Sequence, residues 1–375
     1  MKTKGALLWG PHQDWSVEEI EMGDPVPGEV TVRLAASGLC HSDEHLVTGD
    51  TPAEDWPMLG GHEGAGVIET VGEGVTRFKQ GDHVVISAVP GCGHCPSCLV
   101  GHGSLCDEGA RAVTGLAIAD DTRRVKVKDT TAGMFCLAGT FAPYTTVNEA
   151  SLVKVPFEMP LEKAALLGCG ITTGWHSATR VADVRPGETV VVVGVGGLGS
   201  AALLASVACG AEKIVAIDPV PFKQEEAGKL GATHTFASME EALEPLIEMT
   251  EGRLAHKVIL TPGRMEGAYI QPALELTAKL GTLAVIGMGS FAEDDTKLNL
   301  AWLTAMQKTI KGGQLGGGSP KGDISRLVGL YLDGKLRLDD LITRRYKLEE
   351  INQGYQDMRD AKNLRGLIEY TDADH

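Results

Sequence analysis

Short runs of apolar, β-branched residues recur along the first part of the chain, in GEVTVRLAASG (28–38), GAGVIETVGEG (64–74) and GDHVVISAV (81–89). Such runs read as strands, and the Gly, Pro and Asp residues that punctuate them as turns. The first ~150 residues therefore read as an irregular β domain with little helix. From about Glu162 the texture changes. A helical stretch, EKAALLGCGITTGWHSATRV (162–181), is followed by a strand (ETVVVVG), a helix (SAALLASVACG), a strand (KIVAID) and a helix (FKQEEAGKLG), with further strands at KVILTP and GTLAVIGMG. Strands alternating with helices predict the α/β class with a parallel, doubly wound sheet. KLNLAWLTAM (297–306) reads as an edge strand able to pair across a two-fold axis, and KNLRGLIEY (362–370) as a last strand returning to the first domain. The stretches 51–58 and 109–140 read as pocket-lining loops.

With 375 residues, 43% hydrophobic and 22% charged, the chain can bury a large core, and two domains are expected. A formal net charge of −16 argues against a nucleic-acid surface or a polybasic membrane contact and makes small-molecule chemistry the default. The short apolar run near the N-terminus is soon followed by Asp14, Glu18 and Glu19, a poor secretory signal, so a cytoplasmic location is expected. Residues 189–211 carry no charge over 23 positions, long enough for a membrane span, but their five glycines favour a buried strand, turn and helix.

That turn carries the clearest chemistry. Gly194, Gly196 and Gly199, with Gly197 and Leu198 between them, follow the strand TVVVV and open an apolar helix, and Asp218 closes the next strand 19 residues after Gly199. The first glycine permits a tight turn, the second lets backbone N–H groups approach a pyrophosphate, and the third lets helix and strand pack closely. Asp218 is placed to accept from the adenosine ribose and to repel a 2′-phosphate, which favours NAD over NADP; the bland alternative is a turn cap. Lys223 reads either as a ribose contact or as a solvated helix residue.

Residues 91–106 read GCGHCPSCLVGHGSLC and hold Cys92, Cys95, Cys98 and Cys106, half of the eight cysteines in the chain. Disulfides, an iron–sulfur cluster and zinc all use such a cluster, and a reducing compartment favours metal. A ferredoxin-type run places its fourth cysteine three residues on, before a proline, whereas the last gap here is seven. His94 and His102 are spare ligands read as facing solvent. Cys40 in GLCHSDEH, His62 and Glu63 in GGHEGAG, and Cys169 in LLGCGITTG are further candidates, each with a bland reading when taken alone.

Taken together, these motifs resemble the zinc-dependent medium-chain alcohol dehydrogenases over essentially the whole chain. The resemblance implies a GroES-like catalytic domain (1–170 and 315–375), a Rossmann NAD-binding domain (171–314), two zinc ions per chain and a homodimer or homotetramer. It implies a catalytic zinc on Cys40, His62 and Cys169 with a fourth position for water or alcohol, and a structural zinc on Cys92, Cys95, Cys98 and Cys106. Zinc would acidify the alcohol for hydride transfer to NAD. Glu63 is implied near the metal, Asp43 as the carboxylate orienting His62, and Ser42 with His45 as a proton relay. Without the resemblance, Ser42 reads as a helix N-cap and His45 as a surface histidine. Thr173 matches a nicotinamide contact and Arg365 a pyrophosphate contact, while His41 stands where many members carry an arginine. The strings LCHSDEHLVTGD, GGHEGAG and AIDPVPFK are similar to the nicotinoprotein branch, which holds NAD through the cycle and passes electrons to a carrier or an artificial nitrosoaniline acceptor. A glutathione-dependent formaldehyde dehydrogenase and a non-catalytic zinc- and dinucleotide-binding sensor are the alternatives.

Overall fold

Strand Glu29–Gly38 is the spine of the N-terminal fold: its alternate residues Val30, Val32, Leu34 and Ala36 are fully buried, as the period-two pattern requires. It pairs antiparallel with Gly64–Val71, Tyr144–Asn148 and Arg365–Glu369, so the last strand of the chain lies beside the third. His83–Ile86 and Leu152–Lys154 extend this seven-stranded sheet on one side and Ile342–Tyr346 on the other. Five more strands, Lys2–Leu8, Ser16–Met22, Val125–Val127, Thr130–Met134 and Met58–Leu59, close into a barrel. The stretch 109–140 is thus not simply a loop, because it supplies two barrel strands whose Val125, Val127 and Ala132 are buried.

The computed structural model describes residues 1–375 and divides into two units, Met1–Gly170 with Gly318–His375, and Ile171–Gly317. The return to the first unit comes at Gly318, three residues beyond the expected 315. The second unit is built on six parallel strands in the order His234–Phe236, Lys213–Ile217, Thr189–Val193, Ala255–Leu260, Thr277–Val285 and Thr309–Gly312. All five residues of Thr189–Val193 are buried, the mark of a central parallel strand covered on both faces. The uncharged stretch 189–211 resolves into this strand, the glycine turn and helix Gly197–Ala208, and no helix of the chain is long and apolar enough to cross a membrane.

Two expectations are corrected. Residues 297–306 do not form an edge strand: Leu300–Ala305 is helical, started by the Asn299 side chain accepting the Trp302 N–H at 3.1 Å, with Leu303 packed on the core. The edge of the sheet is Thr309–Gly312. The helical stretch 162–181 is broken. Leu161–Ala164 and a tight turn through Gly168 lead to Cys169 at φ −145° and ψ −78°, after which helix resumes at Gly170–His176. Gly168 and Gly170 on either side are packed too tightly for a side chain: a Cβ would strike the Ile86 carbonyl oxygen at the first and the Arg365 guanidinium at the second.

Candidate functional site

Three separate pieces of the first unit bring thiol, imidazole and carboxylate together. Cys40 is the N-cap residue of helix His41–Thr48, just after the spine strand. His62 and Glu63 precede strand Gly64–Val71, delivered by a turn in which Gly61 has φ +87° and no room for a side chain, since a Cβ there would lie 2.5 Å from Thr140 Oγ1 and 2.6 Å from the Phe141 nitrogen. Cys169 comes from the broken helix. The ligand atoms of Cys40, His62, Glu63 and Cys169 all lie within 4.8 Å of one another.

The electrostatics of this cluster favour positive charge. Burial alone would depress the His62 pKa, but Asp43, Cys169 and Cys40 outweigh it and hold the value well above the usual imidazole range. A hydrogen bond between the two thiols, helped by His62, holds Cys40 well below the ordinary thiol value, while the same bond and burial push Cys169 well above it. Both ring nitrogens of His62 are buried without a hydrogen-bond partner, but Nδ1 has Asp43 Oδ2 3.0 Å away, which leaves Nε2 as the nitrogen for a metal. Two sulfurs and one imidazole suit zinc, so these residues fit the metal that the motifs imply.

The surrounding groups fix this set. Asp43 Oδ2 faces His62 Nδ1 at 3.0 Å, and Asp43 Oδ1 accepts the Gly61 N–H at 2.8 Å. Glu63 is fully buried; it accepts the Gly170 N–H at 2.7 Å and is ion-paired with Arg365. Burial pushes its carboxyl up to about 7 despite Arg365. Arg365, expected as a pyrophosphate contact, is itself 3% exposed and engaged with Glu63, with its Nε unpartnered. Gly38 and Gly170 flank this ion pair, where any Cβ would collide with one member or the other.

The relay candidates sit on the same helix. The N-cap is Cys40 rather than Ser42, whose Oγ lies 3.7 Å from Cys40 Sγ. His45 is not a surface residue: it is 4% exposed, with Nδ1 3.5 Å from Asp50 Oδ2. His41 is half-buried at the start of the helix.

Cys92, Cys95, Cys98 and Cys106 also lie within 4.8 Å of one another, sulfur to sulfur. The Cys92–Cys98 and Cys95–Cys106 separations are 3.9 and 4.0 Å, far from a disulfide and near the ~3.8 Å edge of a zinc–thiolate tetrahedron. Backbone N–H groups of His94 and Cys95 donate to Cys92 Sγ at 3.5 and 3.3 Å, and that of Cys92 to Cys106 Sγ at 3.4 Å. Backbone hydrogen bonds from Asp107 and Cys98 bring Cys95 down to about 6, while burial pushes Cys106 up to about 12. His94 and His102 are exposed, outside the cluster.

In the second unit, Gly194 has φ +87° and abuts Thr261 and Pro262, and a Cβ on Gly199 would strike the Gly194 carbonyl. These two glycines are needed for packing. A Cβ on Gly196 would meet nothing within 4 Å, so that position opens onto free space, as the approach of a pyrophosphate requires. Gly197 and Leu198 form the first turn of the following helix, whose N–H groups suit an anion. Asp218 accepts from Val195 N at 2.8 Å and Val220 N at 3.0 Å, so it braces the glycine turn as well as standing where a ribose would be read. Lys223 is half-buried on helix Pro221–Lys229, and Thr173 is buried on Gly170–His176.

Sequence reasoning missed Phe135, whose ring meets His62 edge-on at 5.4 Å, and Tyr355 and Arg359, which touch the segment carrying Cys40. No local pattern marks them, because each acts on residues far away in sequence.

Comparison with known proteins agrees with this geometry. Residues 26–157 match the alcohol dehydrogenase GroES-like domain and residues 197–332 the zinc-binding dehydrogenase domain. The chain is 50% identical over 374 residues to alcohol dehydrogenase B of Mycobacterium tuberculosis, covering 100% of both. It is 44% identical over 368 residues to the NDMA-dependent alcohol dehydrogenase of Amycolatopsis methanolica, covering 98% of this chain and 99% of that one. Among solved structures, benzyl alcohol dehydrogenase from Acinetobacter calcoaceticus superimposes with a TM-score of 0.91 at 31% identity, over 99% of this chain and 100% of that one. An alcohol dehydrogenase zinc-binding domain protein from Burkholderia ambifaria does so with a TM-score of 0.92 at 32% identity, over 99% of each chain.

Proposed function

The chain belongs to the zinc-binding alcohol dehydrogenases with a GroES-like domain, and from that premise we propose that it oxidises alcohols at a zinc held by Cys40, His62 and Cys169, using an NAD that stays bound from one turnover to the next. The observation that carries the zinc assignment is the convergence of those three ligand atoms, with Glu63, within 4.8 Å. Zinc held there supplies Lewis acidity, making an alcohol hydroxyl acidic enough to ionise near neutral pH. A bound NAD would supply the hydride acceptor, so that loss of one proton from oxygen and one hydride from carbon would leave an aldehyde or ketone and NADH.

The residues of this chain divide the remaining work. Asp43 holds the His62 imidazole through Nδ1, which would leave Nε2 to ligate the metal. Ser42 accepts the alcohol proton, and His45 carries it toward Asp50 and solvent, which keeps proton loss separate from hydride loss. Glu63, with a carboxyl near neutrality in pKa and Arg365 beside it, adjusts the charge at the metal. Gly194, Gly196 and Gly199 would cradle the pyrophosphate, with Gly197 and Leu198 at the helix start, and Asp218 would read the adenosine ribose; Lys223, Thr173 and His41 would be further cofactor contacts. The four-cysteine cluster holds a second zinc whose ligand set is closed to substrate.

Retention of NAD is supported by the 44% identity to an NDMA-dependent enzyme. Pro219 and Pro221 also restrict the chain just after Asp218, which lowers the entropy lost on gripping the adenosine. With a captive cofactor, the reduced NAD must be reoxidised by an aldehyde, an artificial acceptor or a redox carrier. A cytoplasmic homodimer or homotetramer is part of the same proposal, since a four-thiol metal cluster suits a reducing compartment. The test is to desalt the protein, denature it and quantify released nucleotide, then assay alcohol oxidation with an artificial acceptor, with and without added NAD. About one nucleotide per chain and no response to added NAD are expected. A cofactor-free preparation whose activity saturates with external NAD would remove the retention claim and leave an exchanging dehydrogenase.

A further inference from the structure

Helix His41–Thr48 carries two histidine–carboxylate contacts in opposite senses. Asp43 lies on the helix and faces the metal ligand His62, whereas His45 lies on the helix and faces Asp50, two residues beyond its end. The way the helix stops builds this second contact. Gly49, at φ +75° in the left-handed region, turns the chain back with its N–H on the Leu46 carbonyl at 3.3 Å, and the Thr51 N–H then closes on the His45 carbonyl at 3.0 Å. The turn lies against Pro11 and His12. It brings Asp50 Oδ2 to 3.5 Å from His45 Nδ1, with the two side chains 11% and 5% exposed, and Thr48 Oγ1 donates to the same carboxylate oxygen at 2.8 Å. As a helix stop, Asp50 has the wrong sign: a carboxylate at a helix C-terminus opposes the helix dipole, and Gly49 suffices to end the helix. Its placement serves the histidine instead.

We infer that Asp50 is a positioning residue of the proton relay: it holds the His45 ring by Nδ1 and so selects Nε2 as the nitrogen that accepts the alcohol proton. The inference rests on the relay reading above, in which Ser42 and His45 move that proton, and adds to it the group that decides which side of the ring works. A carboxylate beside Nδ1 favours a hydrogen there and disfavours a lone pair, so the neutral ring keeps its lone pair on Nε2. A proton arriving at Nε2 makes an imidazolium whose new charge faces the Asp50 carboxylate, and the ring returns to its first form by giving one proton to water or buffer. Thr48 keeps the carboxylate in place during this exchange. Asp50 touches neither alcohol nor cofactor in this scheme and acts only through His45.

The experiment compares wild type, Asp50→Ala, His45→Gln and the double variant of the holoprotein in two ways. The first is steady-state alcohol oxidation with an artificial acceptor, with thermal melting as the control for the fold. The second is 15N NMR of protein labelled at histidine, in which His45→Gln identifies the His45 signals by their loss. Asp50→Ala should lower kcat by about 10-fold or more and leave KM for the alcohol within about 2-fold, because only the proton step is touched. The neutral His45 ring should carry its hydrogen on Nδ1 in the wild type and on Nε2 in Asp50→Ala. In the His45→Gln background the Asp50 change should add almost nothing, because both act in one step. Should Asp50→Ala melt early, Asp50→Asn keeps the shape of the side chain without its charge and carries the same expectations for kcat and for the double variant. A wild-type ring protonated on Nε2, full additivity with His45→Gln, or an unchanged kcat in Asp50→Ala beside a slow His45→Gln would each overturn this inference and leave the relay standing. A His45→Gln variant as fast as wild type would remove the relay itself and this inference with it.

Discussion

Asp43 Oδ2 lies 3.0 Å from His62 Nδ1, and both side chains are sealed from solvent, at 0% and 1% exposure. A carboxylate held this close to Nδ1 leaves Nε2 as the imidazole nitrogen available to a metal beside the thiols.

Asp43→Asn should therefore weaken the catalytic zinc by about 10- to 100-fold while sparing the four-cysteine zinc. Metal titration against a competing chelator checks this. Equal loss of both metals would mean that Asp43 supports only the fold.

His45 is buried beside Asp50 on the helix that carries Ser42. If it moves the alcohol proton, His45→Gln should lower turnover by up to about 100-fold, most at low pH, where hydroxide cannot substitute, and small buffer bases should restore part of the rate. An unchanged pH profile would remove His45 from the relay.

Asp218 has two jobs in this structure, and a substitution should reveal both. Asp218→Asn keeps the shape but loses the charge, so discrimination against NADP should relax by about 1–3 kcal/mol. Affinity for NAD should also fall, because the Val195 N–H that braces the glycine turn loses a charged acceptor. Fluorescence titration with both cofactors measures these effects. Equal affinity of the native protein for NAD and NADP would contradict the ribose role.

Asp357 ties the C-terminal helix to its strand, accepting from Tyr346 Oη at 2.9 Å, Gln353 Nε2 at 2.9 Å and Arg344 Nη1 at 3.0 Å. Burial would raise its pKa, but Tyr346, Gln353 and the cations Arg344 and Lys362 together bring it below the ordinary 3.8. A depressed folded value stabilises the protein fully above the unfolded value and loses that contribution as the pH falls through the folded one. Asp357→Asn should thus cost about 1–2 kcal/mol at neutral pH, with the gap to wild type closing below about pH 4. Denaturant unfolding at several pH values tests it, and a gap that widens in acid would reverse the sign of the argument.

The parts of this protein legible from sequence were those whose signal is local. The turn from Gly194 to Gly199 and the cluster from Cys92 to Cys106 bring their chemistry together within a few residues, so spacing alone is informative. The break at Cys169 was not visible, because the Ala- and Leu-rich residues before it favour helix and only the tertiary position of the thiol selects the kink. Residues 297–306 misled for a related reason: their apolar run suits strand or helix, and the Asn299 cap decided between them. Tyr355 carries no motif at all. It is buried against the Cys40 carbonyl across the fold, a relation that pairing of distant elements creates.

The central claim is that each chain holds two different zinc sites, one open and catalytic, one closed and structural. Native mass spectrometry of the wild type, Cys40→Ser and Cys98→Ser, read beside turnover and thermal melting, tests it most directly. The account predicts two zincs and one NAD per wild-type chain. Cys40→Ser should abolish turnover with little change in melting, and Cys98→Ser should lose the structural metal and melt at a clearly lower temperature. One zinc per wild-type chain, iron in place of zinc, or a Cys40→Ser variant that still turns over alcohol would contradict it.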